Sequence, residues 1–124
     1  MLVYIAGRYR AKTKLGQLIN IIRARKQARS LWGQKVAVIC PHSNSAFMDS
    51  YDDFLLQAYI GITDKCDAVL VLPKWESSMG TVEEIKHAVG KDKPIYFSEA
   101  SLMQDIRRGK LTKPTQKIKR SLGL

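Results

Sequence analysis

Acidic residues are missing from both ends of this chain. Residues 1–48 hold nine Lys or Arg and no Asp or Glu, and residues 107–124 hold seven and again no acid. All eleven acids fall within residues 49–106, beside five lysines. The net charge of +10 therefore comes in blocks. Blocks of one sign suit a phosphate-bearing partner, either a nucleotide in a site or a nucleic acid along a surface. A solvated helix face and a basic tail in water are the plainer reading, and no aromatic residue is interleaved with the last eighteen to stack on bases.

Cysteine is nearly absent too. Cys40 and Cys66 sit among apolar neighbours without metal-ligand spacing. That excludes a disulfide scaffold and reads as reduced core thiols of a cytoplasmic protein. No apolar run approaches the ~20 residues of a membrane span, and Met1–Gly7 is apolar too briefly for a secretory signal. No membrane partner is expected. At 124 residues the chain suits one domain, since about 100–150 residues bury a core without staples.

What is present is a regular alternation. Leu2–Ala6, Val36–Cys40, Ala68–Leu72 and 94–97 are short apolar runs, each ending at a Gly, a Pro or a polar loop. Helical patterns lie between them, over 13–33, 52–64, 81–90 and 99–108. In the first, Leu15, Leu18, Ile19 and Ile22 fall at i, i+3, i+4 and i+7 and predict the core-facing stripe, with Arg23, Arg25, Lys26 and Arg29 mainly on the other side. Thr13 is its expected cap and Gly33 its stop. Strands apolar throughout, alternating with helices, predict an α/β fold: a Rossmann-like three-layer sandwich around a parallel sheet of four to five strands. Ligands then bind beyond the carboxyl ends of the strands, in the loops 7–14, 41–49 and 74–80 and after Phe97.

The familiar phosphate fingerprints are lacking. The first loop has one Gly, so neither GxGxxG nor a Walker lysine is present. His42 and His87 are the only histidines and no nucleophile elbow accompanies them, which leaves Ser–His–Asp chemistry and a metal site poorly supported. There remains the run Trp75-Glu76-Ser77-Ser78-Met79-Gly80-Thr81-Val82-Glu83-Glu84. Small and hydroxyl residues at a helix start expose backbone N–H groups to an anion. Glu84 lies a turn further on, where the macrodipole favours its ionised form, and a positioned carboxylate can attack an anomeric carbon. Spacing alone points the other way, to a capping box with Thr81 as N-cap and Glu84 reaching back to its amide.

The loops taken together resemble a known group. Tyr4-Ile5-Ala6-Gly7-Arg8-Tyr9-Arg10, then Asn20-Ile21 with Ala24 and Ala28, then Leu31-Trp32, Pro41-His42-Ser43-Asn44, Cys66-Asp67-Ala68-Val69 and Trp75–Gly80 with Glu84 are similar to the nucleoside 2-deoxyribosyltransferase-like superfamily. The likeness is to a small branch of bacterial and phage proteins, covers residues 2 to about 97, and leaves residues 107–124 outside as a basic tail to a 1–106 domain. It implies a Rossmann-like domain, a homodimer or larger assembly, and no cofactor. It also implies either transfer of a 2-deoxyribosyl group between bases or hydrolysis of the N-glycosidic bond of deoxynucleoside 5′-monophosphates. The hydrolase motif Ser-x-Gly-x-x-x-Glu matches Ser78, Gly80 and Glu84. By that likeness Glu84 is the nucleophile, Ser78 holds a 5′-phosphate or 5′-hydroxyl, and Gly7 with the loop through Arg10 lines the base and sugar pocket.

One position departs from the pattern. The superfamily commonly carries an Asp eight residues before the aspartate that precedes the third strand, where it contacts the sugar or aids proton transfer. Counting back eight from Asp67 lands on Tyr59. Protonation of the leaving base then falls to another acid, with Asp49, Asp52 and Asp53 nearby in sequence.

Other residues carry two readings each. Arg8 and Arg10 can fork a phosphate or simply face water. His42 and Asn44 can read a base edge or a ribose hydroxyl, or Asn44 can close an Asx-turn after Pro41. Trp75 can stack on a base, or cover a loop or a dimer contact. Two further functions stay open: a non-catalytic nucleotide-binding module, which Tyr59 favours, and a nucleic-acid-binding protein acting through the basic helix and tail.

Overall fold

A computed structural model describes residues 1–48 and 52–124; Asp49 and the side chain of Asp52 lie outside what it describes. The elements run β1 (Leu2–Ala6), α1 (Lys14–Gly33), β2 (Ala37–Ile39), α2 (Pro41–Asn44), α3 (Asp52–Thr63), β3 (Ala68–Val71), α4 (Met79–Gly90), β4 (Ile95–Tyr96), α5 (Glu99–Arg108) and α6 (Gln116–Ser121). Among the described residues four strands form one parallel sheet in the order β2-β1-β3-β4. Helices cover both faces, so the fold is the expected α/β sandwich. No helix among the described residues is long and apolar enough to cross a membrane.

Alternation along β1 sorts the core. Val3 and Ile5 face α1 and α5, packing with Ala24, Ala28, Leu31 and Leu102. Tyr4 and Ala6 face α3 and α4, with Tyr59, Val69, Ile85 and Val89. The Asp67 carboxylate accepts the Leu2 amide at 2.7 Å and ties the start of β1 to that of β3.

The stripe expected to anchor α1 does not. Leu15, Leu18, Ile19 and Ile22 are 67, 41, 39 and 55% exposed, while Gln17, Ile21, Ala24, Ala28 and Leu31 are buried. Small Ala24 and Ala28 let the helix sit close on the sheet, and close packing outweighs the larger side chains on the opposite face. Thr13 does cap α1, its Oγ1 accepting the Gly16 amide at 3.0 Å.

Two further segments differ from expectation. Within 41–49, expected as a loop, Pro41–Asn44 forms one helical turn. Residues 107–124 are not a detached tail: α6 lies there, and Ile118 and Leu122 pack into the α3/α4 layer. That puts α6 across the sheet from α1, while the start of the segment stays on the α1 side, where Leu111 packs on the α1 core and Arg107 donates to Gln34 Oε1 at 3.4 Å.

Candidate active site

The chain leaves β1 towards β2 on one side and β3 towards β4 on the other, so their carboxyl ends flank a switch point where a crevice opens. A cleft of about 630 Å³ lies there. It takes residues from the loop after β1 (Gly7–Lys12), from α2, from α3 and from the first turns of α4. Gly7 is required by packing: a Cβ there would stand 2.6 Å from Leu72 Cδ1 and 2.8 Å from its Cβ. Gly80 is not, since its Cβ would meet only Leu56 Cδ1 at 3.8 Å. A side chain at Gly80 would project towards the cleft it lines.

The loop after β1 is held by its carbonyls. His42, 3% exposed, donates from Nε2 to the Gly7 and Arg8 oxygens at 3.0 and 3.2 Å. Asn20 Nδ2 donates to the Tyr9 and Arg10 oxygens at 3.1 and 3.4 Å. Four successive carbonyls are thus turned onto protein donors, and Arg8, Arg10 and Lys12 line the cleft mouth. His42 thus fastens this loop while lining the cleft itself. Burial pushes its pKa down, and its Nδ1 has no partner among the described residues. Tyr9 is pinned from the other side, its hydroxyl accepting the Phe47 amide at 2.5 Å.

The floor belongs to Glu84 and two tyrosines. Ser78, not Thr81, caps α4: its Oγ accepts the Thr81 amide at 3.3 Å, and Thr81 Oγ1 donates to it at 2.9 Å. The capping box is overturned. Freed from that role, half-buried Glu84 turns into the cleft and accepts a hydrogen bond from the hydroxyl of Tyr4, which is fully buried. Tyr59 lies against Tyr4, ring centroids 6.3 Å apart, donates to Ser45 Oγ at 2.9 Å and accepts from Asn44 Nδ2 at 2.9 Å.

Electrostatically the floor departs from expectation. Burial pushes the Glu84 carboxyl up to about 7, against a smaller downward pull from the Tyr4 hydroxyl. Desolvation thus outweighs the helix dipole, which had argued for a fully ionised group. The Tyr4 hydroxyl is raised in turn, by burial first and then by the Glu84 charge, so it is a donor throughout the neutral range.

Of the expected site residues, Gly7, Arg8, Tyr9, Arg10 and His42 line the cleft, as do Tyr59, Ser78, Gly80 and Glu84. Asn44 and Trp75 do not. Asn44 stands behind Tyr59, and Trp75 packs on Phe97 with centroids 5.8 Å apart and adds to the α3/α4 core. Asp53 is on the cleft wall; Asp49 and the Asp52 carboxyl are outside the described residues. Sequence reasoning missed Tyr4 and Asn20 as site residues. A tyrosine in an otherwise aliphatic strand was the available signal, because a buried phenol needs a partner for its hydroxyl. Among the described residues no three His, Cys, Asp or Glu are placed to share a metal.

Residues 1–97 match a family described as a domain of unknown function, DUF4406, and the chain belongs to that family. No curated protein and no solved structure matches it.

Proposed function

We propose that this protein cleaves the N-glycosidic bond of a deoxynucleoside or its 5′-monophosphate, or transfers the deoxyribosyl group to a second base, with Glu84 as nucleophile. The observation that carries this reading is the Glu84 carboxylate, held by Tyr4 on the floor of a cleft wide enough for a furanose ring. Glu84 attacks C1′ as the C1′–N bond breaks through an oxocarbenium-like state. The departing base takes up a proton from water at the open cleft, on whose wall Asp53 is the other carboxyl among the described residues. Water or a second base then releases the sugar from Glu84. Arg8, Arg10 and Lys12 at the mouth favour a phosphorylated substrate, seated near the amides at the start of α4. The setting is cytoplasmic. A second copy covers the rim, where Met48 and Met79 stand 43 and 88% exposed.

Incubation with deoxynucleoside 5′-monophosphates should liberate free base, and Glu84→Gln should abolish it; full activity in that variant rejects the mechanism. One observation favours a second reading, a nucleotide-binding module without turnover. The position where the superfamily carries its acid is Tyr59, whose hydroxyl is already engaged by Asn44 and Ser45. Calorimetry would then show nucleotide binding without base release, and affinity nearly unchanged in Glu84→Gln.

A further inference from the structure

A second depression, of about 430 Å³, lies across α2 from the cleft, along the outer edge of β2. Nothing in the glycosidic chemistry uses it. One wall is a single face of α1, where Arg25, Arg29 and Trp32 stand at i, i+4 and i+7. Ser43 and Asn44 stand on the other side. Both guanidinium groups are exposed, and neither has an ion pair or hydrogen bond among the described residues. No carboxylate among those residues lines the groove. Glu99, which does reach α1, bonds Gln27 and Ser30 on the opposite flank. Trp32 leaves 56% of its surface open.

This set of groups has a defined chemistry. Forked donors one turn apart grip phosphate oxygens, and an indole beside them offers a stacking face to any base. Lys26, exposed three residues before Arg29 on α1, extends the positive field beyond the groove itself. An acidic peptide would pair the arginines but leave the indole without a flat partner, and the three-residue β2 is too short a template for an added strand. We infer that this groove binds single-stranded nucleic acid, with phosphates on Arg25 and Arg29 and a base on Trp32. The inference does not depend on the reading of Glu84.

A Trp75→Phe chain keeps Trp32 as its one tryptophan and can be titrated with an oligothymidylate of about eight nucleotides, within the range one small domain covers. Expected are saturable quenching of Trp32 and an affinity that falls steeply with salt. Arg25→Ala with Arg29→Ala should weaken binding at least ~10-fold and lower the salt slope by about two. Because Trp75 packs on Phe97, Trp32→Phe with Trp75 intact serves as the converse and should lose the quenching. Glu84→Gln should leave the titration unchanged. Absent quenching, an arginine double variant that binds equally, or loss of binding in Glu84→Gln would overturn the inference. Thymidine 5′-monophosphate quenching Trp32 at concentrations as low as the strand does would overturn it too, making this groove a mononucleotide site. So would equal competition by polyglutamate, which would remove the base.

Discussion

The cleft and the groove lie on either side of one helical turn, Pro41–Asn44, and treat charge in opposite ways. In the cleft a single carboxylate is half-buried against a tyrosine, and burial moves its ionisation towards neutrality. In the groove two guanidinium groups stand exposed. A solvated charge can only recognise, whereas a partly desolvated one changes its reactivity. The shared wall keeps the two apart: His42 faces the cleft loop, while Asn44 lines the groove and braces Tyr59 from behind.

The sharpest way to break this contrast is Glu84→Gln. It should lower base release at least ~10³-fold, measured by chromatography of the liberated base, because an amide cannot form the covalent sugar intermediate. Tyr4→Phe comes next. Without the donor that pulls it down, the Glu84 carboxyl should titrate still higher, so the rising limb of the pH–rate profile moves up and the rate at pH 7 falls about tenfold. An unmoved profile would show that Tyr4 acts only as filler.

Stability offers a test that needs no substrate. Glu84 titrates higher in the folded chain than its ordinary 4.5, near 7, so folding favours its protonated form. That contribution is complete below the ordinary value and is lost as pH rises through about 7. Unfolding free energies from denaturant titrations should therefore fall over pH 4.5–7 by on the order of 2–3 kcal/mol, a trend that Glu84→Gln removes. Gly7→Ala should cost about 1–3 kcal/mol at every pH, because the new Cβ meets Leu72 rather than water. Smallest of all, Arg25→Ala with Arg29→Ala should leave both base release and melting temperature essentially unchanged, which sharpens the separation of groove from cleft.

Much of the architecture was readable in the residue order. The four strands and the loops at their ends were legible because apolar runs closed by Gly or Pro are local signals. Most residues of the cleft followed from those loops. Glu84 was found as a candidate, but its setting was not. The cap belongs to Ser78, three residues before the one expected, and only the true helix start frees the carboxylate to face the cleft. Asn44 and Trp75 were misplaced because loop residues at the right strand end can still turn away from the ligand side. The α1 stripe misled because that helix carries two apolar faces, and periodicity measures amphipathicity without saying which face meets the sheet.

Residue order by itself determined the alternation of strand and helix, the charge blocks and the loops that gather at one end of the sheet. All of these rest on properties of neighbouring residues. Tertiary structure alone decided that Ala24 and Ala28, not Leu15 and Ile22, meet the sheet, that Tyr4 holds a carboxylate eighty positions away, and that this carboxylate loses enough water to titrate near 7. Desolvation depends on what is packed around a group. That packing is set by the sheet order, which joins β1 to β3 across some sixty residues of intervening chain.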